Sequence, residues 1–249
     1  DYGNAKLCGG AFAFVYVHHF IKPAEGDAAS VKRLAAYYRT ESPAMATFLS
    51  SHDRFAGARL WDQVEGDAAA YKLAAAGYLL QPGTPFIYYG EEVGQGSVVA
   101  PGISGDMPLR APMSWTPRNL ESGGFTTSAT PFRPIAPNAA LNNVQSQRAD
   151  PNSLLNFYKQ MIALRNTRPS IARGSFEHSF ADGLVLGYQR RLGKELTLVL
   201  INYGREAKRV RAGDNDDRDC EKQRVERGAI EDAVPDEERA QPSYERNEH

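Results

Sequence analysis

Two titratable side chains, His52 and Asp53, stand in the stretch FLSSHDRFAGARL (48–60) just where a short apolar run ends. Two more, Glu91 and Glu92, follow the run PFIYYG (85–90). If both runs are strands of one parallel sheet, their acidic ends point into a shared mouth, where wound and closed α/β sheets gather their chemistry. Carboxyl groups so placed suit glycoside hydrolysis, which needs them around an oxocarbenium-like centre. They equally suit a divalent cation, whose preferred ligands are oxygens. Plainer readings compete with both, because an Asp after a strand is a common turn former or helix cap and a lone His is often a core residue.

Other chemistries lack their signatures. The sequence has no Gly-x-Ser-x-Gly elbow, no phosphate loop and no Gly-x-Gly-x-x-Gly, and YYGEEVGQG does not match a nucleotide fingerprint. The five histidines are scattered, and His18 and His19 are adjacent, so that in a strand they would face opposite ways. No zinc site is expected from them. Cys8 and Cys220 fit no metal spacing and read as unrelated thiols. A formal net charge of -1 gives no reason to expect nucleic acid or an anionic membrane as partner. No apolar run approaches the roughly 20 residues of a membrane span. The opening DYGNAKLCGG has no basic and apolar leader pattern and reads as an internal beginning.

The elements that must position these groups alternate. GAFAFVYV (10–17) reads as a buried strand, and GDAASVKRLAAYYRT as a helix with Asp27 at its N-cap. Residues 45–51 read as a second strand. GDAAAYKLAAAGYLLQPG is an Ala-rich helix stopped by Pro82-Gly83, and 85–89 form a third strand. Residues 94–149 are rich in Gly, Pro, Ser and Asn with little periodicity, as in a functional or disordered loop. A helix follows, with Asp150 expected at the N-cap, Pro151 at its first position and Pro169 at its end. LVLGYQRR and LTLVLINYG, joined by a LGKE turn, read as an antiparallel hairpin. Parallel βα units with a small β region appended are the expected class, α/β. Residues 205–249 hold 24 charged residues in 45 and are expected to be disordered, as a solvated tail or through a shift of reading frame.

FLSSHD resembles the fourth motif of the alpha-amylase family, glycoside hydrolase family 13, found at the end of its seventh barrel strand. PGTPFIYYGEEVG resembles the eighth-strand motif. MPLRAPMSW, GGFT and NNVQSQRADPNSLLNFYKQMIALRNTRPSI resemble the eighth loop and last helix, and LINYG a strand of the C-terminal β domain. The resemblance runs over residues 8–204. It implies a partial (β/α)8 TIM barrel, strands six to eight with their helices, in residues 1–170. A truncated antiparallel β domain follows in 171–204, then the charged tail in 205–249.

The resemblance further implies a retaining hydrolase of α-glucosidic bonds in starch-type glucans or oligosaccharides. Its nucleophilic Asp and acid/base Glu would lie upstream of Asp1, so these residues alone are expected to be inactive. Asp53 aligns with the Asp that stabilises the distorted sugar in the transition state, and His52 with a substrate-binding His. Ser51 departs from the family's usual Asn. Ala56 stands where many members carry Arg, which leaves Arg54 and Arg59 as the nearest cations and Arg59 as a candidate for substrate binding. Glu91, Glu92 and Tyr89 are expected to be structural or to support the site from behind. No metal or cofactor is expected within this chain, calcium being a possibility of the full-length parent. The expected partner is an α-glucan or oligosaccharide, with neither nucleic acid nor membrane. A transglycosylase, an α-glucosidase of short sugars, or a non-catalytic barrel used as a binding or partner domain are the alternatives, and the compartment stays open.

Overall fold

A computed structural model describes residues 10–40, 44–117, 121–128, 130–211 and 222–225. The first apolar run yields only a short strand, β1 (Ala11–Phe12). At Ala13 the backbone leaves extended geometry, and one 3₁₀ turn (Phe14–Tyr16) leads into helix α1 (Val17–Ile21). The strand expected over 10–17 is therefore cut short: the Tyr16 N–H closes onto the Ala13 carbonyl at 2.9 Å instead of joining a neighbour. His18 and His19 consequently lie on a helix. Asp27 opens α2 (Ala28–Thr40) as its sequence context indicates, with Oδ1 accepting the Ala29 N–H at 2.9 Å and so satisfying a first-turn donor.

Strand β2 (Met45–Ala46) pairs parallel with β1, and Thr47 bridges Pro85 in the same parallel sense. The strands expected over 45–51 and 85–89 thus shrink to two residues and a single bridge. Pro85 has no N–H to give a ladder, and the Tyr89 carbonyl is turned to the Arg59 guanidinium. Between these segments lie α3 (Leu60–Gln63) and α4 (Ala68–Leu79). Asp67 caps α4 by accepting the N–H groups of Ala69 and Ala70 at 2.8 and 3.1 Å.

After the long loop come α5 (Val144–Arg148), α6 (Leu154–Thr167) and α7 (Pro169–Arg173). The cap of α6 is Ser153, whose Oγ accepts the Asn156 N–H at 3.2 Å, not the expected Asp150. Asp150 instead accepts the Asn152 N–H at 2.9 Å in the preceding turn, which also absorbs Pro151. Strands β3 (Glu177–Asp182), β4 (Val185–Leu192) and β5 (Glu195–Asn202) then form an antiparallel meander. Gly193, at φ +61°, starts the two-residue β4–β5 turn, where a glycine adopts the positive φ without a Cβ clash.

Alternation along β4 and β5 decides what each face buries. Leu186, Tyr188, Val199 and Ile201 join Leu34, Leu49, Leu60, Tyr71, Tyr78 and Tyr158 in one continuous core. Gly77 of α4 permits that packing, because a Cβ there would lie 2.6 Å from the Tyr203 hydroxyl. Arg165 donates to the Leu79 and Gln81 carbonyls and Arg190 to that of Leu80, supplying donors to the carbonyls left over at the end of α4. Burial lowers the pKa of Arg190 to about 10. On the other face, Val185 and Leu200 pack with Val210 of β6 (Lys208–Arg211). Strand β6 pairs antiparallel with β7 (Lys222–Val225), so the expectation of disorder from residue 205 onward is corrected at these strands. One buried valine and an ion pair from Lys208 to Asp182 at 2.6 Å anchor a segment whose composition alone looks unable to order. The rest of the charged tail, Cys8 and Cys220 lie outside the described residues.

Candidate functional site

The chain leaving β2 curls at Ser51, whose Oγ accepts the Asp53 N–H at 3.1 Å and donates to the Asp53 carbonyl at 3.2 Å. This hydroxyl turn presents two consecutive side chains at the surface. His52 is exposed, Asp53 is half-buried, and His52 Nε2 lies 3.3 Å from Asp53 Oδ1. The Asp53 carboxylate caps nothing, although the 3₁₀ turn Arg54–Ala56 starts immediately after it. Its partner is Arg110, whose Nη2 stands 3.1 Å from Asp53 Oδ1 and 3.1 Å from Asp106 Oδ2. The same guanidinium donates from Nε to the His52 carbonyl at 3.0 Å. Asp106 completes the ring of contacts by accepting the Arg54 N–H at 2.8 Å.

Arg110 reaches this rim because the residues on either side of it are clamped. Arg59 donates to the Leu109 carbonyl from Nε at 3.0 Å and from Nη2 at 2.7 Å, and to the Tyr89 carbonyl at 2.5 Å. Its guanidinium lies 4.4 Å over the Tyr88 ring and 4.8 Å over that of Tyr89. The Tyr88 hydroxyl also donates to the Leu109 carbonyl, and the Tyr89 hydroxyl to that of Ala111 at 2.7 Å. Arg59 is only 1 % exposed. The expectation that it touches a sugar is therefore corrected: its donors are spent on backbone carbonyls, and it holds the loop that delivers Arg110.

Glu91 and Glu92 part company. Glu91 is 1 % exposed; its Oε1 accepts the Tyr78 and Tyr158 hydroxyls at 2.7 and 2.9 Å, and Oε2 accepts the Ser50 hydroxyl at 3.0 Å. Burial pushes its pKa up to about 7, outweighing those donors, which act in the opposite sense. Glu92 is also raised by burial, and its Oε2 is buried with no hydrogen-bond partner among the described residues. Glu92, Tyr89 and Arg110 line a cavity of about 460 Å³ together with Trp115, Phe125 and Phe132. Side-chain amides order the loop that builds it: Asn138 and the buried Asn142 both donate to the Gly94 carbonyl at 2.9 Å, and the buried Gln147 to that of Val93 at 2.9 Å. Gln95 accepts the Ser114 N–H at 3.0 Å and donates to the Ala111 carbonyl at 3.3 Å.

Among the described residues, no group of three or more His, Cys, Asp or Glu side chains is placed to share a metal ion. No helix of the described residues is long and apolar enough to cross a membrane. Arg110 and Asp106 were not singled out from sequence; the one signal was their place in MPLRAPMSW and just before it, in a loop with no periodicity.

The family model described as alpha amylase, catalytic domain, matches residues 22–174. The chain is 30 % identical over 190 residues to an oligo-1,6-glucosidase of Parageobacillus thermoglucosidasius, covering 63 % of this chain and 33 % of that protein. It is also 30 % identical over 130 residues to an amino acid transporter heavy chain of Homo sapiens, covering 49 % of this chain and 19 % of that one. The chain thus spans a third or less of these relatives. Among solved structures, the alpha-amylase from H. orenii superposes with a TM-score of 0.64 at 24 % identity, over 84 % of this chain and 42 % of the other, a likeness of fold.

Proposed function

Because the chain belongs to the alpha-amylase catalytic-domain family, we propose that it supplies the sugar-holding rim of a retaining hydrolase acting on α-glucosidic bonds of glucans or oligosaccharides. The segments at β1, β2 and Pro85 would be strands six, seven and eight of an eight-stranded barrel, and β3–β5 the start of its C-terminal β domain. One observation carries the reading. Asp53 holds a carboxylate at the end of a parallel segment, uncapped and partly open to solvent, with only Oδ1 engaged among the described residues, by Arg110 and His52. A carboxylate so held can face a hexose ring as it gains positive charge, without first giving up a structural hydrogen bond through its second oxygen.

In a retaining reaction one carboxylate attacks the anomeric carbon while an acid protonates the departing oxygen, and the resulting glycosyl-enzyme is then hydrolysed by a water that the same group activates. Those two carboxyls are proposed to lie outside these 249 residues. Within them, Asp53 stabilises the flattened, cationic ring, and His52 donates to a hydroxyl of the same sugar. Arg110 fixes the pair, Arg59 fixes Arg110, and Glu91 ties the Ser50 end of the β2 segment to α4 and α6.

Assaying glucose release from maltose, isomaltose and trehalose, with the anomer of the first product read by NMR, tests this. The protein with its barrel complete should release α-glucose, and residues 1–249 alone should release none. Release of β-glucose, or turnover by the shorter chain, would overturn the proposal. Binding without turnover of any α-glucoside would instead favour a non-catalytic role, as the likeness to a transporter heavy chain admits.

A further inference from the structure

We propose that Glu91 is a positioning residue whose proton latches the rim: its neutral carboxyl holds the segment that carries His52 and Asp53, and its ionisation loosens that segment. The latch stands on the enclosure of Glu91 itself; only its effect on turnover rests on the functional reading above. The carboxyl is walled in by hydroxyls. Tyr78 of α4 and Tyr158 of α6 donate to Oε1, and Ser50, at the foot of the rim, to Oε2. Tyr71 of α4 donates to the Glu91 carbonyl at 2.6 Å. Burial holds all three tyrosines well above their usual pKa, so they stay neutral. Glu92, in the same 3₁₀ turn, adds a like charge. Arg59, whose charge reaches Tyr71 and Glu92, spends its donors on the Tyr89 and Leu109 carbonyls. A charge enclosed there favours any motion that lets water in.

Of the three walls, the one at Ser50 is the weakest. Tyr78 and Tyr158 stand on helices of 12 and 14 residues. Ser50 follows a strand of two residues and a single bridge at Thr47. Segments with so few ladder bonds are the ones that open locally. Asp106 and Arg110 hold this rim from the front, through the Arg54 N–H and the Asp53 carboxylate, and Glu91 holds it from behind. With the rim closed, Glu91 titrates near pH 7; once opened to water, it returns towards the ordinary 4.5. Opening therefore becomes easier as pH rises through that window and levels off above it. The gap corresponds to an opening constant about fortyfold larger at about pH 7 than at about pH 5.

Amide hydrogen exchange of the complete protein, corrected for the intrinsic rate, reads the latch without turnover. The amides of Asp53, Arg54 and Ala56 are hydrogen-bonded in the closed rim. They should exchange by local opening, faster than the slowest amides of β4 and β5, which report global unfolding. Their opening should rise about fortyfold from about pH 5 to about pH 7. Glu91→Gln should flatten that rise, and Glu92→Gln should leave it. Ser50→Ala should speed these amides about fivefold at about pH 5, which tests the contact even where Glu91→Gln does not fold. No rise, a rise kept in Glu91→Gln (which would place the proton on His52), or exchange only at the global rate would overturn the latch. Turnover adds a second readout. The ratio of kcat for Glu91→Gln to that of the unaltered protein, in which ionisations elsewhere cancel, should climb about tenfold from about pH 6 to about pH 8 as the neutral fraction falls. A flat ratio would refute the positioning role. If the complete protein turns over no α-glucoside, the functional reading falls, while the exchange still decides the latch.

Discussion

Glu91 makes the stability of this protein depend on pH in the direction opposite to an ordinary paired carboxylate. Its carboxyl is enclosed by Ser50, Tyr78 and Tyr158, and burial raises its pKa from the ordinary 4.5 to about 7. The folded protein therefore holds the proton more tightly than the unfolded chain does. The contribution is fully present below the unfolded value, declines as pH rises from about 4.5, and is lost by the time pH passes about 7. A gap of that size corresponds to about 3 kcal/mol, undiscounted because the group is fully enclosed. Glu91→Gln keeps the neutral form at every pH: the amide oxygen can accept both tyrosines while the amide nitrogen donates to Ser50. Urea midpoints of the two proteins, followed by circular dichroism from about pH 5 to about pH 8, should show the wild type losing about 2 to 3 kcal/mol relative to the variant. Two parallel profiles would refute the reasoning, since Glu91 would then ionise as it does in the unfolded chain.

Arg110→Gln should lower turnover about fivefold, on the order of 1 kcal/mol for a partly exposed ion pair, and should cost little more in an Asp53→Asn background. Equal losses in both backgrounds would show that Arg110 does not act through Asp53. Gly77→Ala should destabilise by about 1 to 3 kcal/mol through the clash with Tyr203, and Tyr203→Phe should recover part of the loss in thermal melts; a stabilised Gly77→Ala would mean that helix propensity wins instead. Ser153→Ala should cost about 1 kcal/mol and Asp150→Ala clearly less, with the reverse order restoring Asp150 as the cap of α6.

The helices were the most legible part of the chain. Asp27 and Asp67 each stand at the start of a patterned segment, and each accepts the first-turn amides there. Strand lengths were not legible. The run 10–17 is apolar throughout, and in so short a run periodicity cannot separate a buried strand from the start of a helix whose Val17, Phe20 and Ile21 are also buried. At the site, the ends of apolar runs located His52, Asp53, Glu91 and Glu92, because position along a strand is a local property. The groups that make the site work are distant in sequence. Arg110 lies far downstream in a loop without periodicity, and only the clamp made by Arg59, Tyr88 and Tyr89 brings it to Asp53. Arg59 is suggested as a ligand contact only by the family resemblance, as a cation near the Ala56 position where many members carry Arg, and such an alignment carries no mark of its burial. Order at β6 escaped a compositional reading because it hangs on Val210 packing against Val185 and Leu200.

The most direct measurement is steady-state turnover of maltose by the complete enzyme with Asp53→Asn, alongside the melting temperature of each protein. A rim carboxylate that stabilises the cationic sugar should cost about a thousandfold in kcat when neutralised, on the order of 4 kcal/mol, with KM and melting temperature little altered. A kcat within about threefold of the unaltered enzyme, well under 1 kcal/mol of transition-state stabilisation, would contradict the account.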